Sequence, residues 1–391
     1  MQHGKRVYLD FAASAPMRDE ALEAERAYEA SAYAGANPNS LHSAGREAAR
    51  ALDGARRDLA KLLGGGFRPS DIVFTSGGTE NNNLAIVGLA EGARSRDRKR
   101  TKVLLSAIEH DSGLDMAPML RDRGFEVELV RPTRQGVITA DALVGMLGPQ
   151  VALVSVMAAN NETGMLQPID SLGKAAHAAG ALFYTDAAQG FGKVPLCVAN
   201  CDAVGIVGHK IGAPVGTGAL AVRGRVPLRP QSFGGGQERG IRPGTQDVRG
   251  ALSLAAGARA VCSNMERSRG VVASLSQGIY DRVCYEGSGI VPTTTSVMSS
   301  DRLPGLVSVM VPDVDSESLV LRLDAAGFEV SAASACASGS LDASHVLLAM
   351  GVARNDALGS LRVSFDERVD RRDIELFCDA LLSVVRCLQG K

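Results

Sequence analysis

The sequence lacks any electrostatic or membrane signature. It carries 42 basic and 43 acidic residues, a formal net charge of −1, so neither nucleic acid nor an anionic membrane is indicated as a partner. No apolar run approaches the length needed to cross a bilayer, about 18 residues. The opening residues, MQHGKRVYLDF, also lack the apolar stretch of a signal peptide. These absences predict a cytoplasmic protein.

A disulfide framework is missing as well. The cysteines are odd in number and widely scattered, which favours reduced thiols; they are Cys197, Cys201, Cys262, Cys284, Cys336, Cys378 and Cys387. Cys197 and Cys201 are close enough in sequence to suggest a metal site, but no second pair and no histidine at ligand spacing follows them. We therefore predict no metal site and interpret this pair as packing residues.

The length and the pattern of apolar residues predict an α/β fold. A chain of 391 residues is too long for one small core. Apolar runs alternate with helical patterns, which predicts a mainly parallel sheet covered by helices on both faces. The predicted strands are 72–76, 102–108, 125–130, 151–157, 181–185, 203–207 and 218–222, and 44–63 has the spacing of an amphipathic helix.

The pattern changes after Thr245. A long helical stretch covers about residues 247–286, with Gly270 as the point where it could break, and a smaller α+β unit follows. No repeat, low-complexity tract or flexible linker is present. We expect a large domain of residues 15–258 and a small domain of residues 1–14 and 259–391, joined by the long helix.

Polar or ionisable residues follow five of the predicted strands: Gly77-Gly78-Thr79-Glu80, Glu109 and His110, Asn160 to Glu162, Asp186 and Gln189, and His209 and Lys210. In parallel α/β sheets, ligands gather beyond the carboxyl ends of the strands. Each feature alone has an ordinary structural explanation, such as a turn, a core histidine, a helix cap or a solvated lysine. Together they supply a phosphate cradle, an aromatic ring, a carboxylate and a lysine, the set that pyridoxal phosphate (PLP) requires.

Longer motifs run in order along essentially the whole chain: YLDFAASAP (8–16), NPNSLHSAGREA (37–48), FTSGGTENNNLA (74–85), SAIEH (106–110), LVSVMAANNETG (153–164), TDAAQGFGK (185–193), GHK (208–210), GGGQERGIRPGT (234–245), SAASACASGSLDASHVLLAMG (331–351) and GSLRVSF (359–365). By these motifs the chain resembles the cysteine desulfurases of the NifS/IscS-like group, within the class V aminotransferase-type PLP enzymes. The resemblance implies the PLP-dependent transferase fold type I. It also implies removal of sulfur from L-cysteine, which gives L-alanine and an enzyme-bound persulfide.

The resemblance implies a role for each residue around the cofactor ring. Lys210 is expected to bind PLP covalently and then to move protons at the substrate carbon. Asp186 is expected to hydrogen-bond the pyridinium nitrogen and to keep it protonated. Gln189 should contact the ring hydroxyl oxygen, and His110 should stack on the ring face and serve as an acid–base group.

The resemblance also implies how the phosphate is held. Thr79, the backbone of Gly78 and His209 are expected to hold it, and Asn161 is expected to contribute to the cofactor pocket. Thr245 should reach the phosphate of the neighbouring subunit, which implies an obligate homodimer.

Two further residues are implied to act on the substrate. Arg362 should bind its carboxylate, for which a guanidinium fork is well shaped. Cys336 lies in a run of small residues, SAASACASGS, which favours a mobile loop. The alternative is a structural role, in which Cys336 is a small buried apolar side chain, but the small side chains of its neighbours could cover little of it. A thiolate there could attack the substrate sulfur and carry it to an acceptor.

Five positions depart from the family pattern. Val207 stands where a small hydroxyl residue is usual near the phosphate, so that a hydrogen bond is missing or is made by water. Pro243 replaces a small residue and is expected to stiffen the segment that carries Thr245. Ala332 and Ala333 stand where Ser and Gly are common, and Phe11 replaces a usual Asn. None of these changes removes a reacting group.

Two alternatives remain open at this point. A selenocysteine lyase or an aminotransferase of the same fold would share the cofactor residues, but transamination needs no thiol such as Cys336. A catalytically idle docking platform for sulfur-transfer partners is disfavoured because Lys210, Asp186 and Cys336 are intact. The sulfur acceptor is left open among iron–sulfur scaffold assembly, tRNA thiolation and cofactor thiolation.

Overall fold

A computed structural model describes residues 6–295, 300–333 and 342–390. The predicted nucleophile, Cys336, lies outside these described residues. The described strands are β1 (Val7–Tyr8), β2 (Ile72–Thr75), β3 (Lys102–Ser106), β4 (Glu126–Val130), β5 (Val151–Ser155), β6 (Leu182–Asp186), β7 (Ala203–Val207), β8 (Gly218–Val222), β9 (Val291–Pro292), β10 (Leu306–Met310), β11 (Phe328–Glu329), β12 (Ser331–Ala332) and β13 (Ser360–Ser364). The described helices are α1 (Asp19–Glu29), α2 (Ser43–Leu63), α3 (Gly78–Arg96), α4 (Asp111–Leu114), α5 (Met116–Asp122), α6 (Ala140–Val144), α7 (Ile169–Ala178), α8 (Val248–Val283), α9 (Ser316–Ala325), α10 (His345–Ala349), α11 (Arg354–Leu358) and α12 (Arg371–Leu388).

The predicted mainly parallel sheet is confirmed. Its seven strands lie in the order β2-β8-β7-β6-β5-β3-β4. The strands β4, β3, β5, β6 and β7 run parallel, whereas β8 is antiparallel to both of its neighbours, β7 and β2. Because β2 therefore points the same way as β7, the carboxyl ends of β2, β3, β5, β6 and β7 meet at one edge.

Both faces of this sheet are covered by helices. Phe183 packs into a core with α2, α7 and α8, while the next residue, Tyr184, packs into a second core with α3 and α5. Strand residues alternate between the two faces, so apolar residues at consecutive positions bury both of them. This layered arrangement is the one expected for fold type I.

A second sheet is built mainly from the C-terminal part of the chain. It is antiparallel, with four strands in the order β12-β13-β10-β9. It packs with α9, α12 and the C-terminal half of α8 around a separate core that includes Leu9, Ile279, Leu323 and Phe377. The start of the chain joins this core, since β1 pairs in parallel with β11.

Helix α8 connects the two cores. Its N-terminal half contributes Leu254 to the core of the large sheet, and its C-terminal half contributes Ile279 to the other core. The predicted division at residues 258/259 falls inside this helix and remains a prediction. The break considered at Gly270 is wrong, because the helix is continuous through that residue. One glycine costs a helix only about 1 kcal/mol, which the packing of the two halves outweighs.

Arg18 links the two parts of the molecule. Its backbone N–H donates to Gly212 O over 2.8 Å, close to the segment that bears Lys210. Its guanidinium pairs with Asp366 and Glu367, which follow β13, at 3.0 and 2.9 Å. Within the described ranges, no helix is both long and apolar enough to cross a membrane.

Candidate active site

The strand ends bring most of the predicted site residues to one edge of the large sheet. Asp186 is the last residue of β6, and His110 follows β3 as the N-cap of α4. Gly78 begins α3 directly after β2, and Lys210 ends a short 3-10 turn that follows β7. Asn161 follows β5 in the same way.

Asp186 and His110 are connected by two intermediate side chains. Asp186 is buried, and Asn82 Nδ2 donates to its Oδ2 over 2.9 Å. The same amide nitrogen lies 2.8 Å from Ser112 Oγ, which in turn lies 2.9 Å from His110 Nδ1. Because the backbone N–H of Ser112 also donates to Nδ1, a neutral His110 carries its hydrogen on Nε2.

Asn82 is a functional candidate that the sequence analysis missed. Tyr184 Oη donates to its Oδ1 over 2.6 Å, which fixes the amide so that its nitrogen faces Asp186. Asn82 is buried on the first turns of α3, whereas its neighbour Asn83 only reaches back to Thr79 O. The run of asparagines directly after the Gly-Gly-Thr helix start was the available signal.

A second carboxyl group lies beneath this network. Glu109 is fully enclosed, accepts from Met157 N over 2.7 Å and is hydrogen-bonded by Ser106 Oγ. Burial, with a smaller contribution from the nearby Asp186, raises its pKa to about 8. Glu109 is therefore a neutral carboxylic acid at pH 7, and the two acidic groups do not both carry charge.

Lys210 contacts the start of the chain. Its Nζ donates to Ala12 O over 2.8 Å and to Ala13 O over 2.7 Å. Ala12 O also accepts from Gln189 Nε2 over 2.9 Å, so the lysine and the glutamine share one carbonyl. Beside Lys210 and Gln189 lies a cavity of about 70 Å³ that is also lined by Lys193.

The phosphate cradle predicted from the sequence corresponds to the turn between β2 and α3, and phosphate binding there stays a prediction. Gly77 has φ +141°, which favours glycine, and a Cβ on Gly78 would come within 3.1 Å of Val207 Cγ2. Val207 thus packs against the cradle as an apolar wall. Burial, and then the positive charge of Lys210, lowers the pKa of His209 to about 4, so this histidine is neutral at pH 7.

Arg362, on β13, is brought to the same region. Its Nη2 pairs with Asp10 at 2.8 Å and its Nη1 donates to Asn161 O over 3.1 Å. Its Nε is buried and has no hydrogen-bond partner among the residues that the structure describes, so one donor remains for a further acceptor. Asp10 was not identified from the sequence because its partner is far away along the chain.

One described site residue, Thr245, is not brought together with the others. Thr245 is exposed, in the segment before α8, and its contact with a neighbouring subunit stays a prediction. Pro243 packs near Gly234, since a Cβ on that glycine would lie 3.0 Å from Pro243 Cβ. Cys336 lies outside the described part of the chain. Within that part, no three metal-ligating side chains form a cluster.

The residues present fit the chemistry of PLP. The Asp186 carboxylate accepts from Ala188 N and from Asn82, and a carboxylate has lone pairs for a further donor such as a pyridinium N–H. A lysine amine, a histidine ring and a glycine turn at a helix start lie at the same sheet edge. The unpartnered Nε of Arg362 suits a carboxylate.

Asn82→Ala should lower the free energy of unfolding by about 1–3 kcal/mol, because buried polar groups of Tyr184 and Asp186 lose their partner. Asn83→Ala is the matched control, since it changes the next residue of the same helix, and about 0.5 kcal/mol or less is expected. Urea unfolding measures both values. Equal losses of unfolding free energy in the two variants would contradict a stabilising role for the hydrogen bonds of Asn82 with Tyr184 and Asp186.

Glu109→Gln should make stability less dependent on pH. The folded chain keeps the Glu109 proton between its ordinary pKa of 4.5 and about 8, whereas the unfolded chain loses it. This group therefore makes the free energy of unfolding fall as the pH rises through that window. Between about pH 5 and 8.5, the free energy of unfolding of the variant should rise relative to that of the wild type, as measured by urea unfolding. Parallel pH profiles would show that Glu109 is not held neutral.

Comparisons with known proteins place the chain in a family. Residues 7–377 match the family described as aminotransferase class-V. A cysteine desulfurase of Gluconacetobacter diazotrophicus is 36% identical over 390 residues, 98% of this chain and 94% of that protein. Among solved structures, a NifS-like protein has a TM-score of 0.88 at 30% identity, over 98% of this chain and 100% of that one. A structure titled "SspA in complex with cysteine" has a TM-score of 0.77 at 30% identity, over 92% and 98% of the two chains. The chain therefore belongs to the class-V aminotransferase family and, within it, to the cysteine desulfurases.

Proposed function

We propose that this chain uses PLP to take sulfur from L-cysteine, releasing L-alanine and leaving a persulfide on Cys336. The observation that carries the proposal is the hydrogen-bonded connection of Asp186 to His110, at the sheet edge that also bears Lys210. The structural relative that was solved in complex with cysteine supports a substrate of this kind.

The ring of the cofactor is assigned to four residues. PLP, when bound, withdraws electrons from the substrate carbon next to the amino group. Lys210 Nζ would bind it covalently, and Asp186 would hold the proton of the pyridine nitrogen. Gln189 Nε2 would donate to the ring hydroxyl oxygen, and His110 would cover the ring and exchange protons through Nε2. Burial of Asp186 supports its role, because a charge there needs a cationic partner.

The phosphate is assigned to the turn before α3. The backbone N–H of Gly78 and the Thr79 hydroxyl donate to it, as unpaired groups at a helix start commonly do. His209 is a neutral donor, because its pKa of about 4 lies well below pH 7. Val207 offers no hydroxyl, so this side of the phosphate is apolar. Asn161 contributes to the pocket from the neighbouring strand end.

Substrate binding and proton transfer are assigned to two basic side chains. Arg362 uses its unpartnered Nε for the substrate carboxylate, while Asp10 holds the other side of the guanidinium. Lys210 Nζ holds and moves the proton at the substrate carbon. The neighbouring carbonyls of Ala12 and Ala13 keep this amine close to the N-terminal segment.

The sulfur step is assigned to Cys336. Its thiolate attacks the sulfur of the substrate, so that a sulfur–sulfur bond forms while the carbon–sulfur bond breaks. The electron pair of the broken bond stays with the carbon skeleton, which takes up protons and leaves as alanine. L-cysteine and one thiol thus give alanine and one persulfide, with no external oxidant or reductant. An acceptor protein, such as an iron–sulfur scaffold, then takes the sulfur.

We infer a homodimer in the cytoplasm. Thr245 is exposed, as are three large apolar side chains in loops, Leu41, Val215 and Phe233, at 89%, 78% and 90%. Exposed apolar side chains of this size favour a protein interface. A reducing compartment suits the thiol that the reaction requires, and the six described cysteines are free.

Cys336→Ala should keep bound PLP and bind L-cysteine, as seen in the visible spectrum, but should form neither alanine nor sulfide. Lys210→Ala should lose the covalent cofactor linkage, so that borohydride reduction labels no lysine. Cys197→Ala, which changes an exposed cysteine outside the site, is the control and should leave turnover unchanged. Undiminished alanine formation by Cys336→Ala would contradict the sulfur step and favour another reaction of this fold.

Phe233→Asp should convert the dimer into monomers and weaken PLP retention, because a charge would be buried in the interface. Light scattering measures the mass, and dialysis followed by absorbance measures the retained cofactor. Leu376→Asp alters an exposed leucine on α12 that is not in these loops, and it should leave the dimer intact. A wild-type protein that is active as a monomer would contradict the shared site.

A further inference from the structure

Lys193 lies beside the site without a role in the proposed reaction. It follows β6 and is half-buried at the cavity that Lys210 also lines. Its Nζ donates to Gln189 Oε1 over 3.0 Å. Gln189 Nε2 then donates to Ala12 O, the carbonyl that also accepts from Lys210. These contacts form a chain from one lysine to the other.

An ammonium group determines which way a neighbouring amide points. It can only donate, so it must face the oxygen end of Gln189. The flipped amide would place its NH2 group against the ammonium and its oxygen against Ala12 O, two repulsive contacts in place of two hydrogen bonds. With the orientation that is present, Nε2 uses one hydrogen on Ala12 O and retains a second one.

We propose that Lys193 is a positioning residue that acts through Gln189, holding the amide so that its nitrogen, not its oxygen, faces the cofactor ring. The proposal rests on the proposed function in one respect, that Gln189 meets the ring hydroxyl oxygen of PLP. A donor at that oxygen stabilises its anionic form. The flipped amide would repel it.

The surroundings of Lys193 explain why the ammonium needs the acceptor that Gln189 provides. Burial first, and then the ammonium of Lys210, lowers the pKa of Lys193 to about 7. Arg362 and Arg18 act in the same direction, and Asp366 opposes them. An apolar side chain of similar length would fill this place without a desolvation penalty. The protonated amine of Lys193 can only donate, and its acceptor is Gln189 Oε1, so this contact fixes the orientation of the amide.

The test is a double-mutant cycle on the holoenzyme with Lys193→Met, Gln189→Ala and the double variant. PLP titration gives the dissociation constant, and a pH titration follows the visible band of bound PLP. Lys193→Met should weaken PLP binding about fivefold, the effect of one lost hydrogen bond. It should also raise the pH midpoint of the band, because the ring oxygen loses its donor. In the Gln189→Ala background, Lys193→Met should change neither quantity further.

Lys193→Arg should keep most of the wild-type PLP affinity and a pH midpoint near that of the wild type, since it keeps a cationic donor. Lys174→Met removes an exposed lysine that pairs with Asp170, and it should change nothing. Equal effects of Lys193→Met in both backgrounds would overturn the proposal, because they would show action by charge or packing alone. No effect in the wild-type background would overturn it too.

Failure of the proposed cofactor is distinguishable from failure of this inference. A wild-type protein that binds no PLP would contradict the proposed function. The same cycle is then measured as urea unfolding midpoints, because the contact between Lys193 and Gln189 is present without the cofactor. Non-additive shifts would support the orienting contact, and additive shifts would overturn it.

Discussion

The charge of Asp186, at the buried end of a parallel strand, is the constraint around which the site is arranged. Ala188 N–H and the amide of Asn82 satisfy it from the protein side. Asn82 can do so only if Tyr184 holds the other end of the amide, and Tyr184 is fully buried between the sheet and α3. The position of α3 is thereby fixed against β6. The same amide reaches Ser112, so the position of His110 depends on this charge as well.

The N-terminal segment contacts both the second sheet and the turn that bears Lys210 in the large sheet. Leu9 is anchored in the second core, and Ala12 N donates to Ser364 Oγ at the end of β13. Three residues later, Ala15 N donates to His209 O, next to Lys210. This segment, which has no regular secondary structure, therefore fixes the position of the strand that carries Arg362 relative to the turn that carries Lys210. Backbone hydrogen bonds from Leu9, Phe11, Ala12, Ala15 and Arg18 make this relative position specific.

The sequence predicted those parts of the fold and the site that depend on local pattern. Fully apolar runs indicated the strands, and polar residues directly after them indicated the edge at which Asp186 and Lys210 now lie. The roles of Asn82 and Asp10 were not predictable in this way. Asn82 meets a residue more than 100 positions away, and Asp10 pairs with one more than 350 positions away. The tertiary fold determines such contacts, and the spacing of residues along the chain does not reveal them.

The balance of charge around Lys210 links ligand binding to protonation. Arg362 and Arg18 each have a carboxylate, Asp10 for the first and Asp366 with Glu367 for the second. Lys193 has the neutral oxygen of Gln189, and its pKa falls to about 7. Positive charge thus accumulates at the cavity and also lowers the pKa of His209. An anionic ligand would relieve this repulsion, because it favours the protonated form of every nearby base. Binding of a phosphate or a carboxylate at this cavity would therefore be coupled to proton uptake by the protein, and by reciprocity a lower pH would favour binding of the anion.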